Sequence, residues 1–408
     1  MKKRKNMNIA PRTPAVFLVL ALLFLFSSIR ASAQTSSPCS GASPAALQTP
    51  FHLDYSCISL GSVPGLPASY GGLTLKYDDP NILLIGGAAN GAGGRIYQIG
   101  VTRNAAMHIT GFTGTATLYP SEGSTVGQAN DGGVVFGPGN VLFVTHYPGN
   151  QLEQTKPGSI APDKVISLTG LGVGSSVGSI GFVPPGFPGA GQMKIVSYTS
   201  GKWYTAGYIG DGTGTYDITS ITAGPNVGSG PEGIAFVPQS SPAFQPNSVL
   251  IALYGAGKVI TAPLDASGDP ILTSAQNFIT GLSGAEGAFI DPVTGDFLFS
   301  TFGGSNKVIR VSGFIAPTAA PVTVSGRVAT SAGNGISGAR VSLIDSEGTT
   351  RTAITGPFGY YAIEGVTAGQ TCVIEIAAKR YRFEPRAVNV DDDIADLDFT
   401  PSFEQFGK

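Results

Sequence analysis

The stretch Gly230 to Pro238 reads GPEGIAFVP, and altered copies of it return along the chain. They are GGLTLKYDDP from Gly71 to Pro80, GGVVFGP from Gly132 to Pro138, GSIGFVP from Gly178 to Pro184 and GAEGAFIDP from Gly284 to Pro292. Their spacing, roughly 45 to 60 residues, is that of repeat architectures such as propeller blades. One position aligns all five: Gly72, Gly133, Ser179, Gly233 and Gly287. From each anchor runs a short apolar stretch, a Pro/Gly/Asp turn, and a second stretch such as Ile82 to Ile85, Val141 to Val144 or Val249 to Leu253. Apolar runs of this length between turn residues read as strands. The unit is a meander of three or four antiparallel strands. It cannot bury its own faces, so copies must stack, and radial stacking leaves only short, protected edges. The sequence therefore predicts an all-β chain with a five- or six-bladed β-propeller over residues 61–314.

Ahead of the repeats, Lys2, Lys3, Arg4, Lys5 and Arg12 precede an unbroken apolar run from Ala15 to Phe26 and a small-x-small site at Ala31-Ser32-Ala33. That pattern is a secretory signal peptide, residues 1–33. The run is shorter than the roughly 20 apolar residues of a membrane span, so removal is expected rather than anchoring. Six of the 24 basic residues and none of the 26 acids lie in this leader, so its removal takes the net charge from −2 to −8. An acidic mature chain disfavours nucleic acid as a partner, since that surface requires basic patches. The mature protein is expected in the periplasm, at the cell surface or released, without a transmembrane segment and as a monomer. Export makes a Cys39–Cys57 disulfide the expected pairing, with two free thiols as the alternative. Cys372 reads as a buried apolar residue. The segment 34–60 offers one strand, Phe51 to Ile58, suited to complete the blade begun at Gly284.

After a stiff linker at 315–321, seven short alternating runs fill residues 322–403: Val322–Val328, Arg340–Asp345, Thr350–Thr355, Tyr360–Ile363, Thr371–Ala377, Ala387–Val390 and Ala395–Phe399. Seven strands in that length predict a β-sandwich. Gly326-Arg-Val328, Gly335-Ile-Ser-Gly-Ala339, Val341-Ser-Leu343, Phe358-Gly-Tyr360 and Gly365-Val-Thr-Ala-Gly369 resemble the carboxypeptidase regulatory-like domain, a transthyretin-like sandwich grouped with carbohydrate-binding-like folds. The resemblance implies an accessory module with no catalytic residues to carry over. Thr355-Gly356 stands where the family commonly has Thr-Asp, which argues against a metal in that turn. PEGIAF and its partners resemble NHL and SMP-30-type propellers, families that include lactonases, lyases and many binding proteins. The motif is short and structural, so it implies the fold and not an activity.

The slot before each anchor would ring the axial mouth of a propeller. It holds Gly71, Gly132, Gly178, Glu232 and Glu286, with Asp131 one residue earlier in its blade. Glu232, Glu286 and Asp131 would then offer oxygen ligands to a hard cation such as Ca²⁺. The alternative is that each glutamate only caps or solvates a strand start. The hairpin tips would lie on the same face, with Tyr147, Tyr198, Tyr254 and Phe302 beside His146, Lys202, Lys258 and Lys307. Aromatic rings with nearby donors suit a carbohydrate or peptide ligand. Equally, the rings would serve as wedges between blades and the lysines as solvated groups. Gly174-Ser-Ser176-Val-Gly178 matches a nucleophile elbow without the strand-to-helix context it needs, and His52, His108 and His146 have no metal-ligand spacing. The expectation is a non-catalytic binding protein, with a metal-dependent hydrolase or lactonase at the axial mouth as the competing reading.

Overall fold

A computed structural model describes residues 35–303, 306–316, 321–345, 349–367, 370–390 and 393–404. The predicted signal peptide and residues 317–320 of the predicted linker lie outside these. No helix among the described residues is long and apolar enough to cross a membrane.

Five antiparallel sheets, four of four strands and one of six, make up the first part of the chain. Their innermost strands are Leu73–Lys76, Asn130–Phe136, Val177–Phe182, Pro231–Phe236 and Ala285–Ile290, blades 1 to 5 in that order. Each innermost strand touches the next, and that of blade 5 touches that of blade 1, so the ring closes. The anchor glycines explain how. A Cβ on Gly72 would meet Gly132 O at 2.5 Å, one on Gly233 would meet Glu286 O at 2.5 Å, and one on Gly287 would meet Gly72 Cα at 2.5 Å. The repeated glycine is the point where each blade's backbone presses against its neighbour's, and any side chain there would hold the blades apart.

Second strands are buried on both faces, which is why they read as continuous apolar runs rather than alternations. Val249, Leu250, Ile251 and Ala252 are fully buried, as are Phe297, Leu298 and Phe299. Outer strands such as Tyr216–Asn226 are largely exposed and correspondingly polar.

The N-terminal segment closes the ring in two places. Its strands are β1 (Ser36–Pro38), β2 (Ala46–Gln48) and β3 (Ser56–Gly61). β3 pairs with Val308–Ser312, Cys57 opposite Val311, as the outer strand of blade 5. β2 adds to the outer edge of blade 4, Leu47 opposite Ile279. Cys39, just after β1, is bonded to Cys57 in β3, with Cα atoms 4.5 Å apart, so one covalent link ties the edges of two blades. The expected strand Phe51 to Ile58 is shifted. Phe51–Leu53 forms a 3₁₀ turn, and the Phe51 ring is buried against Phe244 and Phe278 at centroid distances of 4.7 and 5.1 Å. Packing of that ring ends the turn, and pairing begins only at Ser56.

In the C-terminal module, Thr350–Ile354, Arg340–Ile344, Gln370–Ala377 and Arg386–Val390 form a four-stranded sheet. Pro321–Arg327 pairs with Tyr360–Thr367, and Tyr381–Arg382 with Phe403–Glu404. Val324, Val341, Leu343, Ile363 and Ile374 share one core between them. The expected last strand, Ala395–Phe399, forms no regular ladder but runs beside the first strand, Leu397 N donating to Ser325 O at 3.0 Å and Phe399 N to Arg327 O at 2.9 Å. Cys372 is buried in the same core.

Candidate functional site

Three carboxylates meet at the axis. Asp131, Glu232 and Glu286 each offer one oxygen, and these oxygens lie within 4.8 Å of one another. The residues are 1%, 3% and 2% exposed. They come from the innermost strands of blades 2, 4 and 5. Room for them is made by the other slots. A Cβ on Gly132 or Gly178 would come within 2.7 or 2.8 Å of Glu232 Oε2, and Cβ atoms on Gly71 and Gly86 would collide with Oδ1 of Asn130. The slots that hold glycine are thus the space that the acids and Asn130 occupy.

No cation of the protein answers these charges among the described residues. Asp131 Oδ2, Glu232 Oε2, Glu286 Oε1 and Asn130 Oδ1 are all buried without a hydrogen-bond partner. Turned toward the acid, the Asn90 amide nitrogen donates to Asp131 Oδ1 at 3.0 Å and to Asn130 O at 3.2 Å. Burial pushes Asp131 up to about 8, against which hydrogen bonds from Glu286, the Gly132 backbone and Asn90 act only partly. Burial also raises Glu232 and Glu286 well above the usual carboxylate range, and the charge of Asp131 raises both further. Carboxyl groups packed this way either retain protons or require a positive charge from outside.

Above the acids stand the rings. Tyr147, Tyr198, Tyr254 and Phe302 line one cavity of about 110 Å³ together with Asn90, Glu232 and Glu286. Successive rings meet edge to face, Tyr198 with Tyr254 at 5.9 Å and Tyr254 with Phe302 at 6.1 Å. Burial, then the charge of Glu232, pushes the Tyr198 hydroxyl up. The cationic residues expected beside the rings do not join them. His146 is turned inward, its Nε2 2.9 Å from Glu153 Oε2. Lys258 donates to Asn277 Oδ1 within its own blade, and Lys307 to Gly41 O of the N-terminal segment. Lys202 is exposed on its strand and does not line the cavity. The reason is position: His146 ends a second strand, Lys202 and Lys258 open third strands and Lys307 directly precedes one, and side chains alternate across a sheet.

Asn90 and Asn130 were missed as site residues. The signal for Asn130 was its place directly before Asp131, opposite the glycine slot of blade 1. Other motifs dissolve into structure. Ser176 of the elbow-like motif is buried. The hairpin tip Asp211 to Asp217 is filled by the ammonium of Lys164, 2.7 Å from Asp211 and 2.5 Å from Asp217. Of the three consecutive acids 391–393, the first two lie outside the described residues, and Asp393 accepts from the Thr323 backbone at 2.6 Å.

A family model described as the carboxypeptidase regulatory-like domain matches residues 323–402. The C-terminal module carries a carboxypeptidase regulatory-like domain. No curated protein matches the chain. Among solved structures, a PQQ-bound aldose sugar dehydrogenase from Streptomyces coelicolor is 17% identical, over 62% of this chain and 83% of that one, at a TM-score of 0.34. An auxiliary nutrient binding protein from Bacteroides thetaiotaomicron is 11% identical over 60% of this chain and 58% of that one, at 0.36. A virginiamycin B lyase from Staphylococcus aureus, inactivated and crystallised with quinupristin, is 13% identical over 76% and 99%, at 0.30. Likeness at this level carries no argument about activity.

Proposed function

We propose that this chain is an exported, non-catalytic binding protein whose recognition site is the axial mouth of the propeller, with the carboxypeptidase regulatory-like domain as an accessory module. The observation that supports the reading is a cluster of three buried carboxyl groups, each with one oxygen that has no hydrogen-bond partner, two of which line a cavity with four aromatic side chains. A buried polar oxygen without a partner is costly, and a ligand at the mouth would supply one. A carbohydrate or peptide ligand would pack on the rings and reach the acids below.

The donor set also fits a hard cation such as Ca²⁺. Two oxygens bound to one such ion at about 2.4 Å are at most about 4.8 Å apart, the limit within which these carboxylates lie. Asp131, Glu232 and Glu286 would hold it; Asn130 Oδ1, on the residue before Asp131, is a further buried oxygen without a hydrogen-bond partner. A cation there would supply Lewis acidity, and that chemistry is what a second reading, a metal-dependent hydrolase or lactonase, rests on. The two readings separate on the purified mature protein. Metal analysis, calorimetric titration with CaCl₂ and turnover of a panel of lactones are the measurements. Turnover lost in Glu286→Gln supports the enzyme. Saturable ligand binding without turnover of any lactone supports the binder, and a mouth that binds nothing overturns both.

A further inference from the structure

The cavity has a chemical character narrower than "ligand site", and the inference drawn from it rests on the binding reading above. No lysine, arginine or histidine lines it among the described residues. Its floor is acidic and its walls are ring faces and edges set at steep angles, 62° between Tyr198 and Tyr254 and 71° between Tyr254 and Phe302. Rings turned against one another in this way form the sides of a box rather than a platform. A sugar ring packs flat on one aromatic face and offers as many donors as acceptors. Here the acceptors dominate, with Glu232 Oε2 and Glu286 Oε1 buried and unpartnered. An aromatic face carries negative potential that attracts a cation lying within about 6 Å of the ring centre. Ring faces and carboxylates therefore ask for the same thing.

Size narrows the choice further. A cavity of about 110 Å³ is smaller than the roughly 300 Å³ at which pockets for whole drug-sized ligands begin. It accepts a head group, not an entire molecule. A bare metal ion would use the acids and leave the rings without a role, whereas a substituted ammonium uses both tiers.

We infer that the mouth of the propeller binds an organic ammonium head group, primary or N-methylated, enclosed by Tyr147, Tyr198, Tyr254 and Phe302 and anchored on Glu232 and Glu286. The positive charge that the acids lack is then brought in by the ligand itself. The remainder of the ligand would extend outward past the half-buried rings.

The experiment is calorimetric titration of the mature protein at pH 8 with methylamine, trimethylamine and choline, with 3,3-dimethyl-1-butanol as the neutral isostere of choline and CaCl₂ as the inorganic cation. At least one ammonium is expected to bind, with the neutral isostere weaker by tenfold or more. Tyr254→Ala and Glu286→Gln are each expected to weaken it about tenfold, and Tyr254→Phe, which keeps the ring, by less than threefold. Equal binding of choline and its isostere overturns the inference, as does failure of all three amines to bind protein whose melting shows it folded. Binding of CaCl₂ alone, unchanged in Tyr254→Ala, overturns the ammonium inference while leaving the mouth as a cation site. Binding of a neutral oligosaccharide alone leaves the binding reading standing and the ammonium inference refuted.

Discussion

Gly132 and Glu232 belong to blades two places apart in the ring, yet a Cβ on the glycine would come within 2.7 Å of the glutamate's Oε2. The axis is so narrow that one blade's missing side chain is the space for another blade's functional one. Gly132→Ala is therefore expected to displace Glu232 and cost about 1 to 3 kcal/mol, the usual cost of overpacking a tight interior. Thermal melting of the variant checks the stability, and loss of cation or ligand binding at the mouth checks the displacement. Unaltered melting and binding would show the acids to be more loosely held than the contacts indicate.

The acidic centre also sets a dependence on pH. Asp131 titrates ordinarily near 3.8 and is pushed by burial to about 8, and Glu232 and Glu286 move the same way. Between those values the folded protein keeps protons that the unfolded chain has released, so stability falls as pH rises. The contribution is complete below about pH 4 and lost as pH passes about 8. Without added cation, the melting temperature is expected to be lower at pH 8 than at pH 5, and a bound cation should remove most of the difference. Glu286→Gln takes one charge from the cluster. At pH 8 it should raise the melting temperature of the cation-free protein by about 2 to 4 °C, the shift that ~1 kcal/mol produces in a domain of this size, while weakening binding.

How far the site could be read in the sequence follows from the physics of each part. The repeat was legible because ring closure demands a small residue at one point in every copy, and Gly72, Gly133, Gly233 and Gly287 display that demand directly. Asp131, Glu232 and Glu286 were placed by the same register, and the rings at 147, 198, 254 and 302 by their common place in the turn. The lysines were not placed, because a residue beyond the tip enters a strand, and the sheet face it takes depends on pairing that no local pattern records. Asn130 was hidden for a different reason. Its oxygen fills space left by Gly71 and Gly86, a complementarity between blades that exists only once the ring is closed. In the C-terminal module the family motifs pointed to the central strands, whereas Ala395–Phe399 alternates like a strand but joins the first strand through scattered backbone bonds rather than a regular ladder.

The disulfide yields a third prediction. Cys39 and Cys57 are separated by 18 residues, a loop whose closure contributes about 3 kcal/mol through the unfolded chain. Cys57→Ser is expected to lower stability by about that amount in urea unfolding. Since the bond joins the outer strands of blades 4 and 5, hydrogen exchange should accelerate at 46–48 and 56–61 first and leave the buried strand Ser248–Leu253 protected. Uniform acceleration through all five blades would instead mean that the edges are held by pairing alone.

Closure of the ring is also electrostatic. Arg103, ending the third strand of blade 1, donates to Asp291 of blade 5 through Nη1 at 2.7 Å and Nη2 at 3.3 Å, with both side chains almost wholly buried. Beside it, His108 lies 2.7 Å from Asp296, and Arg310 approaches the same carboxylate at 3.5 Å. Removing one partner of a buried pair leaves the other charge stranded, at about 3 to 5 kcal/mol, whereas replacing both is far less costly. Arg103→Met should therefore destabilise the protein by that amount, and Arg103→Met with Asp291→Asn should recover more than half of the loss. Urea unfolding of the two variants against the parent measures it. If the double variant were as unstable as the single one, the seam between blades 1 and 5 would depend on the specific bidentate bond and its partners at Val293 and Thr294, and not on the stranded charge.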